Sequence, residues 1–325
     1  MAQNNSPSFG IMKDDYLVPT LIEWDNQGFK TCLVTLVSFE GGSPRQIGAQ
    51  MLVREDGRYV GYLSGGCLEQ SISIEAQSLI QKKENRLVRY GKKSPYFDVK
   101  LPCGSGLDLY FNSHLDPKVL RDMFQAHEAR IPYSLTTNLK TGVSEFSIWK
   151  ENSKASCRQE DLFNRVYLPA PRLILLGSGP TISALSQLSK TIGLEFQAWC
   201  PDVYSRESLE QLGIHTLSTS APPQTLFESL DPYTAVVLVF HEHDCESDIL
   251  EKVLKSSCFY IGVLGNRDVH RRRLEDLRKR GFGEKDLGRI SAPIGSIKNA
   301  KSKTTLAVGI LAEILSVGKE ANILG

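Results

Sequence analysis

Two cysteines flanked by glycines are the residues whose type and setting best suit chemistry. Ser64-Gly65-Gly66-Cys67-Leu68-Glu69 puts a thiol at an expected helix start. Backbone N–H groups and the helix dipole favour a thiolate there. Leu101-Pro102-Cys103-Gly104-Ser105-Gly106 puts a second thiol in a glycine-rich loop, whose amides can form an anion-binding nest. Thiolates suit a soft metal or a sulfur-transfer step. A cysteine without such a task is usually an inert core residue. Upstream, Gly41-Gly42-Ser43-Pro44-Arg45 and Gly48-Ala49 bring backbone close to something, and Arg45 can grip a phosphate with two N–H groups. A solvated surface arginine is the plainer alternative.

The second half carries a different signal. The apolar run Arg172–Leu176 leads straight into Gly177-Ser178-Gly179-Pro180. A strand, a glycine turn and a helix start in that order suit a phosphate-bearing ligand. Pro180 fits the first helical position, where its missing N–H has no helical partner. Ile182 stands where a third glycine would fall, and the acid after the second strand is displaced to Asp202 in Cys200-Pro201-Asp202. Asp202 can still meet a ribose hydroxyl; a Rossmann domain that has lost its nucleotide is the alternative. Phe240-His241-Glu242-His243-Asp244 follows a later strand, with His241 and His243 on one side of an extended segment. No third metal ligand is identifiable, which favours ligand contact over a metal. Arg267 closes Gly262-Val263-Leu264-Gly265-Asn266-Arg267 at another strand end, and the run His270-Arg271-Arg272-Arg273 reads mostly as a solvated helical face.

These motifs need elements to hold them. Residues 14–27 read as a helix and Thr31–Phe39 as a buried strand. Met51–Arg54 and Arg58–Leu63 read as a hairpin around Glu55-Asp56-Gly57. A helix follows from Gly65-Gly66 to about Lys82, then strands over Arg86–Tyr90 and Leu107–Phe111. This predicts an N-terminal α+β domain over residues 1–115. Residues 116–168 are expected to form a variable middle segment and linker. It holds a helix over Asp116–Arg130, a hairpin within Tyr133–Trp149 and a polar loop over 151–161. From Arg172 strands and helices alternate, which predicts a Rossmann-type parallel sheet with helices on both faces over 169–325. The fold class is α/β overall, with that sheet C-terminal to the α+β domain.

The chain has 325 residues, 41% hydrophobic and 23% charged, with a formal net charge of +1. That balance gives no pull towards nucleic acid or membranes. No apolar run approaches a membrane span, and the polar N-terminus lacks a secretory pattern. Cys32, Cys67, Cys103, Cys157, Cys200, Cys245 and Cys258 include no Cys-x-x-Cys pair, which argues against a disulfide framework or a zinc ribbon. A reducing cytoplasm is the expected compartment.

Taken in order, Gly42–Arg45 with Gly48-Ala49, then Ser64–Glu69, then Leu101–Gly104 resemble the XdhC/CoxI family, accessory proteins of xanthine dehydrogenase and related molybdenum hydroxylases. The second half resembles the same family in its His241–His243 loop, its Gly262–Arg267 loop and its Pro293-Ile294-Gly295 segment. It departs from the usual pattern at Ser296–Ala300. The resemblance implies a chaperone that binds molybdenum cofactor (molybdopterin), protects it during sulfuration and delivers it to an apo-enzyme. It further implies a cysteine desulfurase as sulfur donor, and Cys67 and Cys103 on the metal side of the cofactor. The expected cofactor contacts are Arg45, Cys67, Glu69, Cys103, Gly177, Gly179, Asp202, His241, His243 and Arg267. A homodimer is expected because symmetric homodimers are common. An NAD(P)-dependent oxidoreductase using the glycine turn is the competing function, and a scaffold that only docks partners is a third.

Overall fold

A computed structural model describes residues 16–43, 45–94, 104–150, 156–217, 221–240 and 246–323. Contacts divide the described residues into two compact units, one ending at Pro169 and the other starting at Ala170.

In the first unit the chain runs α1 (Val18–Asn26), β1 (Thr31–Glu40), β2 (Gln50–Arg54), β3 (Tyr59–Gly61), α2 (Glu69–Lys82), β4 (Arg86–Gly91) and β5 (Gly106–Asn112). It continues through α3 (Pro117–Glu128), β6 (Tyr133–Asn138), β7 (Ser144–Ile148), β8 (Cys157–Gln159) and β9 (Leu162–Tyr167). β1 is central in a five-stranded sheet of order β3-β2-β1-β5-β4, and its apolar run is buried on both faces. Strand alternation explains how. Cys32, Val34 and Leu36 join Ile72, Ala76 and Leu79 of α2 in one apolar cluster. Leu33 joins Leu21 and Trp24 of α1 and Met123 of α3 in another. The segment 116–168 contributes α3, capped by Asp116 through the Lys118 N–H at 2.7 Å, and the four-stranded sheet β7-β6-β9-β8. Part of the stretch expected as a polar loop, Cys157–Gln159, is a strand paired with β9.

The second unit runs β10 (Arg172–Gly177), α4 (Pro180–Ile192), β11 (Glu195–Trp199), α5 (Val203–Gln211), β12 (Thr216–Leu217), α6 (Gln224–Glu228) and β13 (Thr234–Val239). It ends with α7 (Glu246–Leu254), β14 (Tyr260–Val263), α8 (Arg267–Lys279), α9 (Glu284–Leu287), β15 (Ile290–Ser291) and α10 (Lys303–Glu320). The six-stranded sheet has the order β12-β11-β10-β13-β14-β15, parallel throughout. Numbered within the unit that is 3-2-1-4-5-6, the Rossmann order, whose direction reverses between β10 and β13. Ile174, Leu176, Val236 and Leu238 pack with α7 and Leu277 of α8, while α4 and α10 pack together. The expected α/β class with a C-terminal Rossmann-type sheet is the class found. Among the described residues no helix is long and apolar enough to cross a membrane.

Candidate functional site

Antiparallel pairing brings three of the singled-out loops to one end of the first sheet. Glu40, the last residue of β1, pairs with Gly106, the first of β5, which also faces Gly91 at the end of β4. Gly61 ends β3 opposite Met51 near the start of β2. The loops that begin at Gly41 and Tyr62, and the chain entering β5 at Gly104-Ser105, therefore share that end. Side chains tie them together. The Arg45 guanidinium carbon lies 4.4 Å from the centre of the Tyr62 ring, a cation–π contact. At Gly41 (φ +87°) a Cβ would come within 3.4 Å of the Ser105 Cβ. Nearby cations are already matched by acids: Glu40 meets Arg89 and Lys92 at 2.8 Å each, and Arg89 meets Asp108 at 3.0 Å.

The Cys67 loop is organised by Glu69. This carboxylate is buried, only 3% exposed, at the first position of α2. Its Oε1 accepts the N–H groups of Leu63 at 2.9 Å and Ser64 at 2.8 Å. Its Oε2 accepts the Ser64 hydroxyl at 2.7 Å and the N–H groups of Gly66 at 2.9 Å and Leu68 at 3.2 Å. A carboxylate offers about four lone-pair sites, so these donors fill it. Burial acts to raise its carboxyl pKa, but the hydrogen bonds from Ser64 and Leu63 outweigh that and hold it below its ordinary value. Glu69, expected against the cofactor, thus faces its own loop. Leu68 anchors the loop in the core, while Gly65 (φ +77°) and Gly66 (φ +109°) have open space where a Cβ would stand. Cys67 is exposed, whereas Cys32, Cys200 and Cys258 are buried and Cys157 is half-buried. Cys103 lies outside the described residues. Among the described residues no cluster of three His, Cys, Asp or Glu is arranged to hold a metal.

In the second unit the glycine turn stands where the sequence puts it, at the switch between β10 and β13, but its groups are engaged internally. Gly177 takes φ +145°, and a Cβ there would lie 2.6 Å from the carbonyl carbon of Val239 and closer still to its oxygen. The Ser178 N–H donates to that oxygen at 3.1 Å. The Gly179 N–H donates to the Ser205 hydroxyl at 2.8 Å. Asp202, expected at a ribose, is the N-cap of α5 and accepts the Ser205 N–H at 2.7 Å. Hydrogen bonds from the Ser205 side chain and backbone hold its carboxyl below the ordinary range. Ile182 is fully buried in α4. Ser205 gives no local sequence signal as a partner of the turn.

Arg267 is exposed at the first position of α8, whose cap is Asn266. His241 and His243 lie outside the described residues. In the arginine run, Arg273 departs from a solvated face. It is buried, pairs with buried Glu246 at 2.7 Å and donates to the Leu264 carbonyl at 2.9 Å. Its spacing from Leu277, which is also buried, is the signal that puts it on the inward face. Glu313 of α10 also escapes sequence inspection. It accepts the Gly295 N–H at 2.6 Å and the Tyr260 hydroxyl at 2.9 Å, and so holds the Pro293–Gly295 segment.

Comparison with known proteins falls on both units. The XdhC and CoxI family matches residues 24–91, and the XdhC Rossmann domain matches residues 173–314. The Escherichia coli protein named molybdenum cofactor insertion chaperone PaoD is 30% identical over 327 residues, covering 96% of this chain and 92% of that protein. A Bacillus subtilis protein, named as a probable subunit of xanthine dehydrogenase, is 25% identical, covering 90% of this chain and 94% of its own. A Bacillus halodurans crystal structure described as a xanthine dehydrogenase has a TM-score of 0.73 at 23% identity, over 94% of this chain and 96% of that one. At that identity the likeness is one of fold.

Proposed function

The chain belongs to the XdhC and CoxI family, and from that premise we propose that it binds molybdenum cofactor as cargo and hands it to a xanthine dehydrogenase-type apo-enzyme. The name of the Escherichia coli relative, a molybdenum cofactor insertion chaperone, supports the cargo. The observation that carries the proposal is the exposed Cys67 thiol on a loop whose neighbouring N–H groups are tied to Glu69. A carrier needs a soft ligand that a partner can reach, held on a backbone that does not collapse when the cargo leaves. Cys67 is that ligand, joined by Cys103. Arg45, steadied by Tyr62, takes an anionic group of the cargo. Glu69 acts through Cys67 and is a positioning residue.

In the second unit Arg267, His241 and His243 are assigned to a phosphate-bearing ligand of that unit, because the loops after parallel strands are where such folds bind ligands. Gly177, Gly179 and Asp202 are not assigned to it, since their polar groups are engaged within the fold. A cysteine desulfurase supplies sulfur to the cargo, and the chain acts as a homodimer in a reducing cytoplasm.

Anaerobic purification from cells that make the cofactor tests the proposal. Molybdenum and oxidised-pterin fluorescence should accompany the wild-type chain and be lost with Cys67→Ser. A wild-type chain that carries neither sinks it. Retention by both Cys67→Ser and Cys103→Ser shifts the function to a docking scaffold.

A further inference from the structure

We propose that Ser205 closes the glycine turn of the Rossmann unit against dinucleotides and other phosphate-bearing ligands, its hydroxyl standing where a phosphate oxygen would bind. A pyrophosphate is held in such folds by N–H groups at the turn and at the start of the following helix, and the glycines serve its close approach. Here both glycines are accounted for without a ligand. Gly177 is required by the Val239 carbonyl group of β13, and Gly179 (φ +84°) is the N-cap of α4. The two N–H groups of the turn itself are also committed: Ser178 donates to Val239 at 3.1 Å and Gly179 to Ser205 at 2.8 Å. Ser205 is buried, 7% exposed, in the first turn of α5. Its own N–H donates to Asp202 at 2.7 Å, which fixes the backbone that carries the hydroxyl. The Asp202 carboxylate that holds Ser205 carries a negative charge, which repels a phosphate. Arg206, the neighbouring cation, donates instead to the carbonyls of Cys200 at 3.3 Å and Pro201 at 3.1 Å.

Nicotinamide cofactors therefore do not fit this turn, whose sequence invites them. The inference stands independently of the chaperone function: a chain that carries no molybdenum cofactor can still have a closed turn, and the reverse.

Calorimetric titration of the full chain with NADH and with ADP tests the inference. The wild type should show no saturable binding below about 1 mM, while Ser205→Ala should bind at least about tenfold more tightly than wild type. Alanine is a good helix former, so α5 persists. Ser205→Thr keeps a hydroxyl and should stay closed. Wild-type binding of either probe at about 10 μM overturns the inference. So does a folded Ser205→Ala chain that remains as blind to the probes as wild type. Hydrogen exchange of the Gly179 amide in the wild type gives a measurement free of any variant. It should be slow and unmoved by ADP; rapid exchange would show that the latch is not formed.

Discussion

In the Ser64–Leu68 loop, Gly65 and Gly66 face open space, whereas in the Gly177–Gly179 turn the first glycine lies against the backbone of a neighbouring strand. The two motifs look alike as sequence, each being glycines before a helix. In the first, glycine supplies backbone angles that other residues resist, and the next residue carries an exposed thiol. In the second, glycine supplies thinness, and the room is already taken. Each loop also donates N–H groups to an internal acceptor, Glu69 in one and Ser205 in the other. At Cys67 that acceptor leaves the thiol exposed. At Gly179 it occupies the place the ligand would need. Glycine-rich loops before helices therefore divide by whether the space beside the glycine is open or filled by neighbouring backbone.

The sharpest way to break this contrast is Gly177→Ala. Its methyl would drive into the Val239 carbonyl group, and neither backbone can yield without disturbing β10 or β13. A loss of about 3 kcal/mol or more is expected in urea unfolding. A loss under about 1 kcal/mol would mean that the approach is not tight.

Glu69→Gln comes next. The amide keeps one acceptor oxygen and turns an NH2 group towards backbone donors, for an expected cost of about 2–3 kcal/mol at neutral pH. The pH dependence follows from the sign of the shift. The folded carboxyl lies below its ordinary value near 4.5, so its ionised form adds stability above that value and loses it as pH falls through the lower, folded one. The stability gap between wild type and Glu69→Gln should shrink on acidification through that window. A gap that stays constant would refute the carboxylate's role in holding the loop.

Much of this contrast was hidden in the sequence for a physical reason. Patterns of period two or 3.6 report burial, and so β1, α2 and the parallel strands were legible from residues such as Val34, Ile72 and Val236. Local chemistry reported the Asp116 cap and the glycine turn itself. Hydrogen-bond destinations have no such period. Gly179 meets a hydroxyl in the next helix of the fold, and Glu313 reaches back from α10 to the Gly295 loop. Cys157–Gln159 is too short and polar to show strand alternation, and its pairing with β9 decides its conformation. Of the candidate residues, Cys67 and Arg45 were legible in place, on loops at one end of the first sheet. Glu69 and Asp202 were legible in place only, because a carboxylate that binds a ligand and one that caps its own chain look the same in one dimension.

Gly66→Ala tests the other half of the glycine contrast. With open space around the added methyl, only the positive φ of 109° opposes it. The expected cost is about 1–2 kcal/mol, well below that of Gly177→Ala. Equal costs for the two substitutions would erase the distinction between angle and thinness.

Cys67→Ser should have the smallest effect on stability and the most specific effect on function. The side chain is exposed and lies outside the apolar cluster that holds Leu68 and Ile72. Exchange of sulfur for oxygen there should move unfolding by no more than about 0.5 kcal/mol. The Glu69 bonds to Ser64 and Gly66 do not involve the substituted atom, so the loop should persist. Loss of cofactor retention with an unchanged unfolding curve would assign the role to the sulfur itself. A parallel loss of stability would instead make Cys67 part of the scaffold, and the loop would then differ from the glycine turn only in degree.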